Sequence, residues 1–481
     1  MVVSQLAKLI HAREDALRLF LCVLAGYPLA FFHRSVVYKK PVPLQHAFFV
    51  AVGVALYLFN CGYDIIHTLV AIALAFLITN FMTGTVGSVV AAHVVFLGYL
   101  LVAYWFEESD GYDISWTTPF CVLVLRMIGL VMNVYDGVHY EKLKSDQKKV
   151  AIKELPCLLE IASFAFFYTG TFVGPQFTLV KFRSYMRGDW LDEKRQPRES
   201  AKKEALNRFV TGCVYAVVNL WGTSFIPNSY FNSPEFYQQS FFWRWTWTVI
   251  WCRIVTCRYC AMWQLVEGAA ILNGLGFNGR DERGEVRWDG VRDLDPWKWE
   301  TAHDFTLCIQ AFNRGTNSWA KNNILRRLRW LNNKPLAHMI TLGYLAIWHG
   351  YHLGYFLLFG FEFGCVMAQQ QLYSLIKQSP AWARFNMQPA VRPLVLLFGR
   401  LVVLYSTSFA FLTFGLVKTR NWIGPIKSLY FVGYIFYFVI WPLLHKLLLS
   451  VLDIDKKSRA RSPTTSEFTT KTVSERSRTS L

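Results

Sequence analysis

Long apolar runs follow one another along most of this chain and are separated by short polar connections. An α-helix needs about 20 predominantly apolar residues to cross a bilayer. The candidate runs cover residues 17–32, 47–60, 65–82, 86–106, 118–134, 155–173, 209–226, 241–269, 340–359, 394–417 and 429–449. Several of these runs are short or interrupted, so the pattern predicts ten to twelve membrane segments without fixing their number.

The composition also indicates a membrane protein. Only 17% of the 481 residues are charged, whereas a soluble domain carries about 25%. We therefore expect an all-α polytopic membrane protein. A chain this deeply embedded is a poor candidate for binding nucleic acid.

Cys257 and Cys260 form a C-x-x-C pair, but no second pair has zinc-site spacing, so neither a metal nor a redox role is predicted.

The chain divides into a membrane-embedded domain, residues 1–455, and a tail, residues 456–481. The tail carries seven basic residues against two acidic ones and is rich in serine and threonine. Such a segment lacks the large apolar residues that build a core, so it is predicted to be disordered. The positive-inside rule places it in the cytoplasm. The apolar runs do not form two matched halves, which disfavours a transporter or channel.

The polar stretch 278–333 is amphipathic rather than uniformly polar. Its tryptophans alternate with aspartate and arginine, which predicts a segment lying in the membrane interface: Trp288, Trp297 and Trp299. A helix is predicted over 317–331, with an apolar face formed by Ile324, Leu325, Leu328 and Leu331. Its remaining surface is basic, with Lys321, Arg326, Arg327 and Arg329. Anchoring in lipid headgroups is the simpler interpretation of these charges, and phosphate binding is the alternative.

The candidates for a functional site are three polar residues, His349, Asn313 and Asn317. His349 lies in WHGYHLGY, within a run that has no charged residue from 335 to 360. An imidazole at bilayer depth faces a protein interior or a water-filled cavity, where it either moves a proton or has a structural role. Asn313 and Asn317 share a helical face, and their amides either orient an imidazole and stabilise an oxyanion or cap a helix. Spacing alone leaves these alternatives open.

Longer motifs connect these residues to a known family. They are YDISWTTPFCVLVLRMIGL (112–130), LLEIASFAFFY (158–168), VGPQF (173–177), EGAAILNGLGFNG (267–279), FNRGTNSW (312–319) and WHGYHLGY (348–355). Together they resemble the membrane-bound O-acyltransferase family, and within it the lysophosphatidylcholine acyltransferase branch. The resemblance runs from about residue 15 to about residue 450. Arg314-Gly315 departs from the branch pattern that follows its asparagine.

The resemblance implies about eleven tilted helices around an internal chamber, with a cytosolic opening for acyl-CoA and a lateral opening for lysophospholipid. The family's catalytic histidine and asparagine fall on His349 and Asn313. The implied activity is acyl-CoA-dependent acylation of the sn-2 hydroxyl of lysophosphatidylcholine with a polyunsaturated acyl chain, and also of lysophosphatidylethanolamine and lysophosphatidylserine. Alternatives are another acceptor (a different lysolipid, a sterol or a protein), a transporter or channel, and a membrane scaffold.

The remaining expectations concern contacts and location. Substrate contacts are expected from Asn317, Trp348, Tyr351 and His352, and contacts to the phosphates of acyl-CoA from Lys321, Arg326, Arg327 and Arg329. Acyl-CoA is a co-substrate, and no cofactor or metal is expected. The resemblance also implies the endoplasmic reticulum membrane, although the printed sequence has no terminal dilysine signal.

Overall fold

The computed structural model describes residues 2–9, 13–108, 115–378 and 380–451. Within these ranges the regular structure is helical, and the only β-type pairing is two isolated bridges, Leu191–Pro197 and Arg280–Val286. The expectation of an all-α polytopic membrane protein is confirmed. The predicted tail, residues 456–481, lies outside the described residues.

The described part of the amino-terminal third contains eight α-helices. They are α1 (Val2–Leu9), α2 (Glu14–Ser35), α3 (Val42–Cys61), α4 (Ile65–Phe81), α5 (Val86–Ala92), α6 (Gly98–Phe106), α7 (Thr117–Val138) and α8 (Ser145–Lys148). A π-helical turn, His93–Leu97, joins α5 to α6, so these two form one continuous rod.

The remaining helices vary widely in length. They are α9 (Leu158–Ala165), α10 (Leu179–Met186), α11 (Ser200–Phe225), α12 (Pro234–Gln238), α13 (Phe241–Asn273), α14 (Pro296–Thr301), α15 (Phe305–Ala311), α16 (Arg314–Asn323), α17 (Lys334–His349), α18 (Leu353–Gln378), α19 (Pro380–Met387), α20 (Arg392–Gly415), α21 (Thr419–Ser428), α22 (Val432–Ile435) and α23 (Trp441–Val451). A second π-helical turn, Phe436–Ile440, joins α22 to α23.

Seven helical stretches of the described chain are long and apolar enough to cross a membrane. They are Glu14–Lys39, Val42–Phe81, Val86–Phe106, Thr117–Val138, Ser200–Asn232, Arg392–Gly415 and Val432–Ser450. The stretch Val42–Phe81 contains both α3 and α4, which a short turn separates. The predicted total of ten to twelve membrane segments therefore stays a prediction.

The apolar run 155–173 is not a spanning helix, contrary to the expectation. It forms only the short α9 and then an irregular segment whose aromatic side chains, including Phe166, Phe167 and Phe172, are almost completely buried. Non-helical backbone is tolerated at membrane depth where protein surrounds it and supplies hydrogen bonds. The part of the run after α9 is apolar because it lies inside the protein, whereas Leu155, Leu158 and Leu159 at its start are exposed.

Two other expectations about local structure are wrong. The helix predicted over 317–331 is instead α16, which ends at Asn323, followed by a 3₁₀ helix, Leu325–Leu331. A 3₁₀ helix has three residues per turn, so leucines at positions 325, 328 and 331 lie on one face of it. Trp288 and Trp299 are buried in the interior, and only Trp297 is exposed, so the three do not form an interfacial band.

Helix α7 is the central element of the fold. Most of its residues are buried, and it packs against α4, α5, α6 and α16. Its Arg126 is 2% exposed and has no carboxylate partner among the described residues. The guanidinium instead donates to the carbonyls of Phe164 (3.1 Å), Gly170 (2.5 Å) and Pro175 (3.2 Å). Arg126 thus satisfies backbone acceptors of the irregular segment after α9.

We expect Arg126→Ala to destabilise the protein strongly, because it leaves buried carbonyls without donors. Each unsatisfied buried group costs about 1–3 kcal/mol, so the total should reach about 3 kcal/mol or more. The measurement is thermal or denaturant unfolding of the purified protein in detergent. Arg287→Ala is the matched control, since Arg287 is half exposed and pairs only with Asp289. Equal losses of stability in the two variants would contradict this account of Arg126.

Candidate active site

The interior of the helical assembly contains a cavity of about 840 Å³. Its wall includes residues of α2, α6, α7, α11, α13, α14, α15, α16, α17, α18 and α20, and of the irregular segment around Gly174 and Gln176. Both Asn313 and His349 line this cavity, although 36 positions separate them in the sequence. The structure therefore brings the two predicted catalytic residues to one cavity of the size typical of ligand pockets.

His349 lies where the predicted continuous run 340–359 is broken. It is the last residue of α17, and Gly350 follows with φ +128° and ψ −169°, a conformation essentially restricted to glycine. Helix α18 begins three residues later at Leu353. The break ends the helix at the histidine, so that the imidazole lies at a helix terminus instead of midway along a spanning helix.

The His349 ring is held by aromatic packing. Its ring centroid is 5.0 Å from that of Phe414, 5.6 Å from that of Phe359 and 5.8 Å from that of Tyr355. Among the described residues, neither ring nitrogen has a hydrogen-bond partner, and neither is enclosed away from the cavity. The imidazole is thus oriented by packing while its nitrogens stay free for a ligand.

The preceding residue fixes this helix end to α7. Trp348 donates its indole N–H to the carbonyl of Cys121 at 2.9 Å and is 7% exposed. The side chain contributes to the cavity wall, but its one polar group is already used. Trp348 is accordingly suited to apolar contact with a substrate, and its predicted substrate-binding role stays a prediction.

Glu108 contacts two residues that follow His349 in the sequence, Tyr351 and His352. Its carboxylate accepts hydrogen bonds from Tyr351 Oη at 2.7 Å and from Lys418 Nζ, and it lies 3.8 Å from His352 Nε2. The hydrogen bonds from Lys418 and Tyr351 hold the pKa of Glu108 below its usual range. Tyr351 and His352 line the cavity as expected, and both also have this anchoring contact.

Asn313 lies at a second break in the backbone. It is the residue before α16 and adopts a left-handed conformation, φ 51° and ψ 44°, which asparagine tolerates better than most residues. Its side chain makes no capping hydrogen bond to the helix. The interpretation that this amide simply caps α16 is therefore wrong, and the amide remains available to a ligand in the cavity.

Asp293 supplies the cap that Asn313 does not. Its backbone carbonyl accepts from Arg314 N at 3.0 Å, and its Oδ1 accepts from Gly315 N at 2.8 Å. Burial raises the pKa of Asp293 to about 7. A carboxyl oxygen can accept the Gly315 N–H in either protonation state. Asp293 thus fixes the start of α16, and with it the left-handed turn that presents Asn313.

The close approach of Asp293 explains the glycine at position 315, which is part of the departure from the expected branch pattern. A Cβ at this position would overlap with Asp293 Oδ1 and lie 3.3 Å from Gln176 Cβ. Glycine is the residue that permits the carboxylate to approach the backbone so closely. Arg314 contributes its backbone N–H to the same turn.

Asn317 lines the cavity, but its amide stabilises the local backbone. Its Nδ2 donates to the carbonyls of Ile309 at 3.1 Å and Phe312 at 3.0 Å. These bonds hold α15 and the Asn313 turn together. Contact between Asn317 and substrate stays a prediction, and its amide nitrogen is already occupied.

The predicted phosphate-binding residues do not line this cavity. Arg327 makes a two-pronged ion pair with buried Asp136, at 2.7 and 2.5 Å, and Arg326 pairs with Asp146 at 2.8 Å. Lys321 and Arg329 are exposed and have no ion pair among the described residues. Lys321 and Arg329 are therefore the better candidates of the four for contacting the phosphates of acyl-CoA, and this phosphate-binding role stays a prediction for all four.

Sequence reasoning missed several residues that form the cavity. Asp293 gave no local signal, because its function depends on the approach of a segment about twenty residues downstream. An aromatic wall next to Asn313 was also missed: Phe312 stacks on Trp299 at 4.4 Å and meets Trp263 at 4.8 Å. Glu362 had a signal, since an acidic residue in an apolar run is a candidate for function by default. No metal-binding group of His, Cys, Asp or Glu occurs among the described residues.

A helical membrane protein with a free imidazole and a free amide facing one internal cavity has the features of an intramembrane enzyme. The chain matches the MBOAT, membrane-bound O-acyltransferase family over residues 101–408. It belongs to that family and is an acyltransferase.

Relatives match it along nearly its whole length. The chain is 58% identical over 464 residues to "Lysophospholipid acyltransferase 5" of Caenorhabditis elegans, covering 96% of this chain and 98% of that protein. It is 34% identical over 449 residues to the Homo sapiens protein of the same name, covering 92% of each. It is 25% identical over 468 residues to "Lysophospholipid acyltransferase" of Schizosaccharomyces pombe, covering 93% of this chain and 90% of that protein.

We expect Gly315→Ala to lower the rate of acyl transfer by tenfold or more, because the added methyl displaces Asp293 and shifts Asn313. Small misplacements of catalytic groups have effects of this size. The measurement is kcat of the purified protein with an acyl donor and a lysophospholipid. Gly343→Ala is the matched control, since Gly343 lies within α17 and an added Cβ there meets nothing within 4 Å. Unchanged kcat in Gly315→Ala would contradict the positioning role of this turn.

Proposed function

We propose that this acyltransferase transfers the acyl group of acyl-CoA to the free sn-2 hydroxyl of a lysophospholipid, with lysophosphatidylcholine as the main acceptor. The observation that carries the proposal is that two polar groups without a partner among the described residues, the imidazole of His349 and the amide of Asn313, line one cavity. Relatives bearing the name lysophospholipid acyltransferase support the choice of acceptor.

His349 acts as the general base in this proposal. A hydroxyl is a weak nucleophile until a base removes its proton, and an imidazole does this near neutral pH. One ring nitrogen of His349 takes the hydroxyl proton as the oxygen attacks the thioester carbonyl carbon. The carboxyl end of α17 carries partial negative charge, which favours the imidazolium formed in this step.

Asn313 stabilises the charge that develops on the carbonyl oxygen. An amide N–H aimed at an oxyanion in a dry site typically contributes on the order of 100-fold to the rate. The tetrahedral intermediate then collapses, the C–S bond breaks, and the electron pair leaves on sulfur. The thiolate takes up a proton from the imidazolium, which yields free CoA and neutral His349. No covalent acyl-enzyme and no metal take part.

The proposal also assigns a side of the membrane to the acyl donor. The exposed Lys321, in α16, and Arg329, in the 3₁₀ helix that follows it, are proposed to contact the phosphates of CoA. The basic tail 456–481 is proposed to lie in the cytoplasm, on the side where positive charge accumulates. The proposed location is the endoplasmic reticulum membrane.

The test is acyl transfer by purified protein, in detergent or lipid nanodiscs, from acyl-CoA to a panel of acceptors. The panel holds lysophosphatidylcholine, other lysophospholipids and a sterol. We expect phosphatidylcholine and free CoA as products, with kcat reduced at least about 100-fold in His349→Ala because general-base catalysis is lost. No turnover of any lysophospholipid, or turnover of the sterol alone, would overturn the proposal.

His338→Ala is the matched control for this experiment. His338 lies on the same helix, packs near Phe363 and does not line the cavity. Its substitution should leave kcat within about threefold of the parent protein, an effect below 1 kcal/mol. Equal activity of His349→Ala and His338→Ala would contradict the role of His349.

A further inference from the structure

Glu362 is an acidic side chain in the cavity wall that the proposed mechanism does not use. It lies on α18, on the face that also carries Tyr355 and Phe359 and that lines the cavity. Positions three, four and seven apart share one face of an α-helix, which explains the common orientation of these residues. Within the described ranges, no hydrogen bond and no ion pair reaches the Glu362 carboxylate.

An acid at this depth normally has a partner. Ionisable residues inside membrane proteins are paired with one another, face water or mark a ligand path. The cavity wall contains two arginines. Arg253 pairs with Glu300 and stacks on Trp299, with its guanidinium 4.7 Å from the ring centroid, and Arg258 donates to the hydroxyl of Tyr259 at 2.8 Å. Among the described residues, no basic side chain pairs with Glu362.

The surroundings of Glu362 are apolar and aromatic. Helices α15 and α20 both pack against α18. Phe305 and Cys308 of α15 lie in the same cavity wall as Glu362. Phe361 and Cys365 are neighbours of Glu362 on α18 itself. In such a low-dielectric wall a carboxylate attracts a cation much more strongly than it would in water. Aromatic rings add to this attraction for ammonium groups in particular.

The position of Glu362 relative to His349 fits one class of ligand. Phe359 contacts His349 directly, with ring centroids 5.6 Å apart, and Glu362 follows Phe359 by nearly one helical turn. Glu362 and His349 both line the cavity, so one bound molecule can contact both side chains. In a lysophospholipid with a choline or ethanolamine headgroup, one phosphodiester and short carbon links separate the hydroxyl from the nitrogen, so a single molecule carries a group for each of them.

We propose that Glu362 binds the cationic nitrogen of the lysophospholipid headgroup while His349 acts on the hydroxyl of the same molecule. This inference rests on the proposed function. It makes Glu362 a specificity-determining residue that selects choline and ethanolamine lysophospholipids over those whose headgroup carries no cation.

The test compares Glu362→Gln with the parent protein on four acceptors: lysophosphatidylcholine, lysophosphatidylethanolamine, lysophosphatidylglycerol and lysophosphatidylinositol. The glutamine keeps the size of the side chain and removes its charge. We expect KM for the first two to rise about tenfold or more, with kcat changed less than about threefold. KM for the last two should stay the same or fall. An equal rise in KM for all four acceptors would overturn the inference.

Two further variants separate charge from folding. Glu362→Asp keeps the charge and should retain the preference for cationic headgroups, with a weaker effect because the side chain is shorter. Glu235→Gln, at an exposed glutamate of α12 without an ion pair, should change neither KM nor kcat. Thermal unfolding of each variant is measured beside the kinetics, and a preference lost equally in Glu362→Asp contradicts a role for the charge.

A binding measurement keeps this inference distinct from the proposed function. Glycerophosphocholine and glycerophosphoinositol carry the same headgroups and do not depend on acyl transfer. We expect the parent protein to bind glycerophosphocholine more tightly and Glu362→Gln to lose that difference, by calorimetric titration. If no lysophospholipid is turned over but this difference persists, the proposed function fails and the cation site stands. If turnover occurs and Glu362→Gln retains the difference, the cation site fails alone.

Discussion

Inside a membrane every backbone N–H and C=O must be hydrogen-bonded within the protein, and this requirement determines where the present chain can leave the helical conformation. Three of the places where it does so line the cavity: the segment after α9, the turn at Asn313 and the turn at Gly350. At the first two, another part of the chain supplies hydrogen-bond partners. Arg126 donates to the carbonyls after α9, and Asp293 accepts the N–H groups at the start of α16.

The same constraint positions the proposed catalytic pair. Trp348, next to the end of α17, donates to a carbonyl of α7, and Trp319 of α16 packs against Gly129 of α7, so α16 and α17 both contact this buried helix. A polar residue placed at such a break presents its side chain without competing for backbone hydrogen bonds. The side chains of His349 and Asn313 have no hydrogen-bond partner among the described residues and line the cavity, so both are available to a substrate hydroxyl and a thioester.

The sequence was sufficient for the fold class, because apolar runs are local signals. Spacing alone left the roles of His349 and Asn313 open, and the family resemblance selected them as a catalytic pair, which stays a prediction. The sequence was insufficient wherever the structure depends on contacts between distant segments. The run 155–173 has the hydropathy of a spanning helix, yet it is buried by neighbours that only the tertiary structure reveals. Trp288 and Trp299 are interior for the same reason. Asp293 acts through Gly315 across a loop, and no spacing rule connects the two.

The central claim is that one cavity holds the acceptor hydroxyl against His349 and the thioester carbonyl against Asn313. The most direct measurement is a cryo-EM structure with lysophosphatidylcholine and a non-transferable thioether analogue of acyl-CoA. The account predicts the sn-2 hydroxyl within hydrogen-bond reach of a His349 ring nitrogen, about 3 Å, with the acyl carbonyl region beside the Asn313 amide. A hydroxyl bound outside the cavity, or separated from His349 by protein atoms, would contradict it.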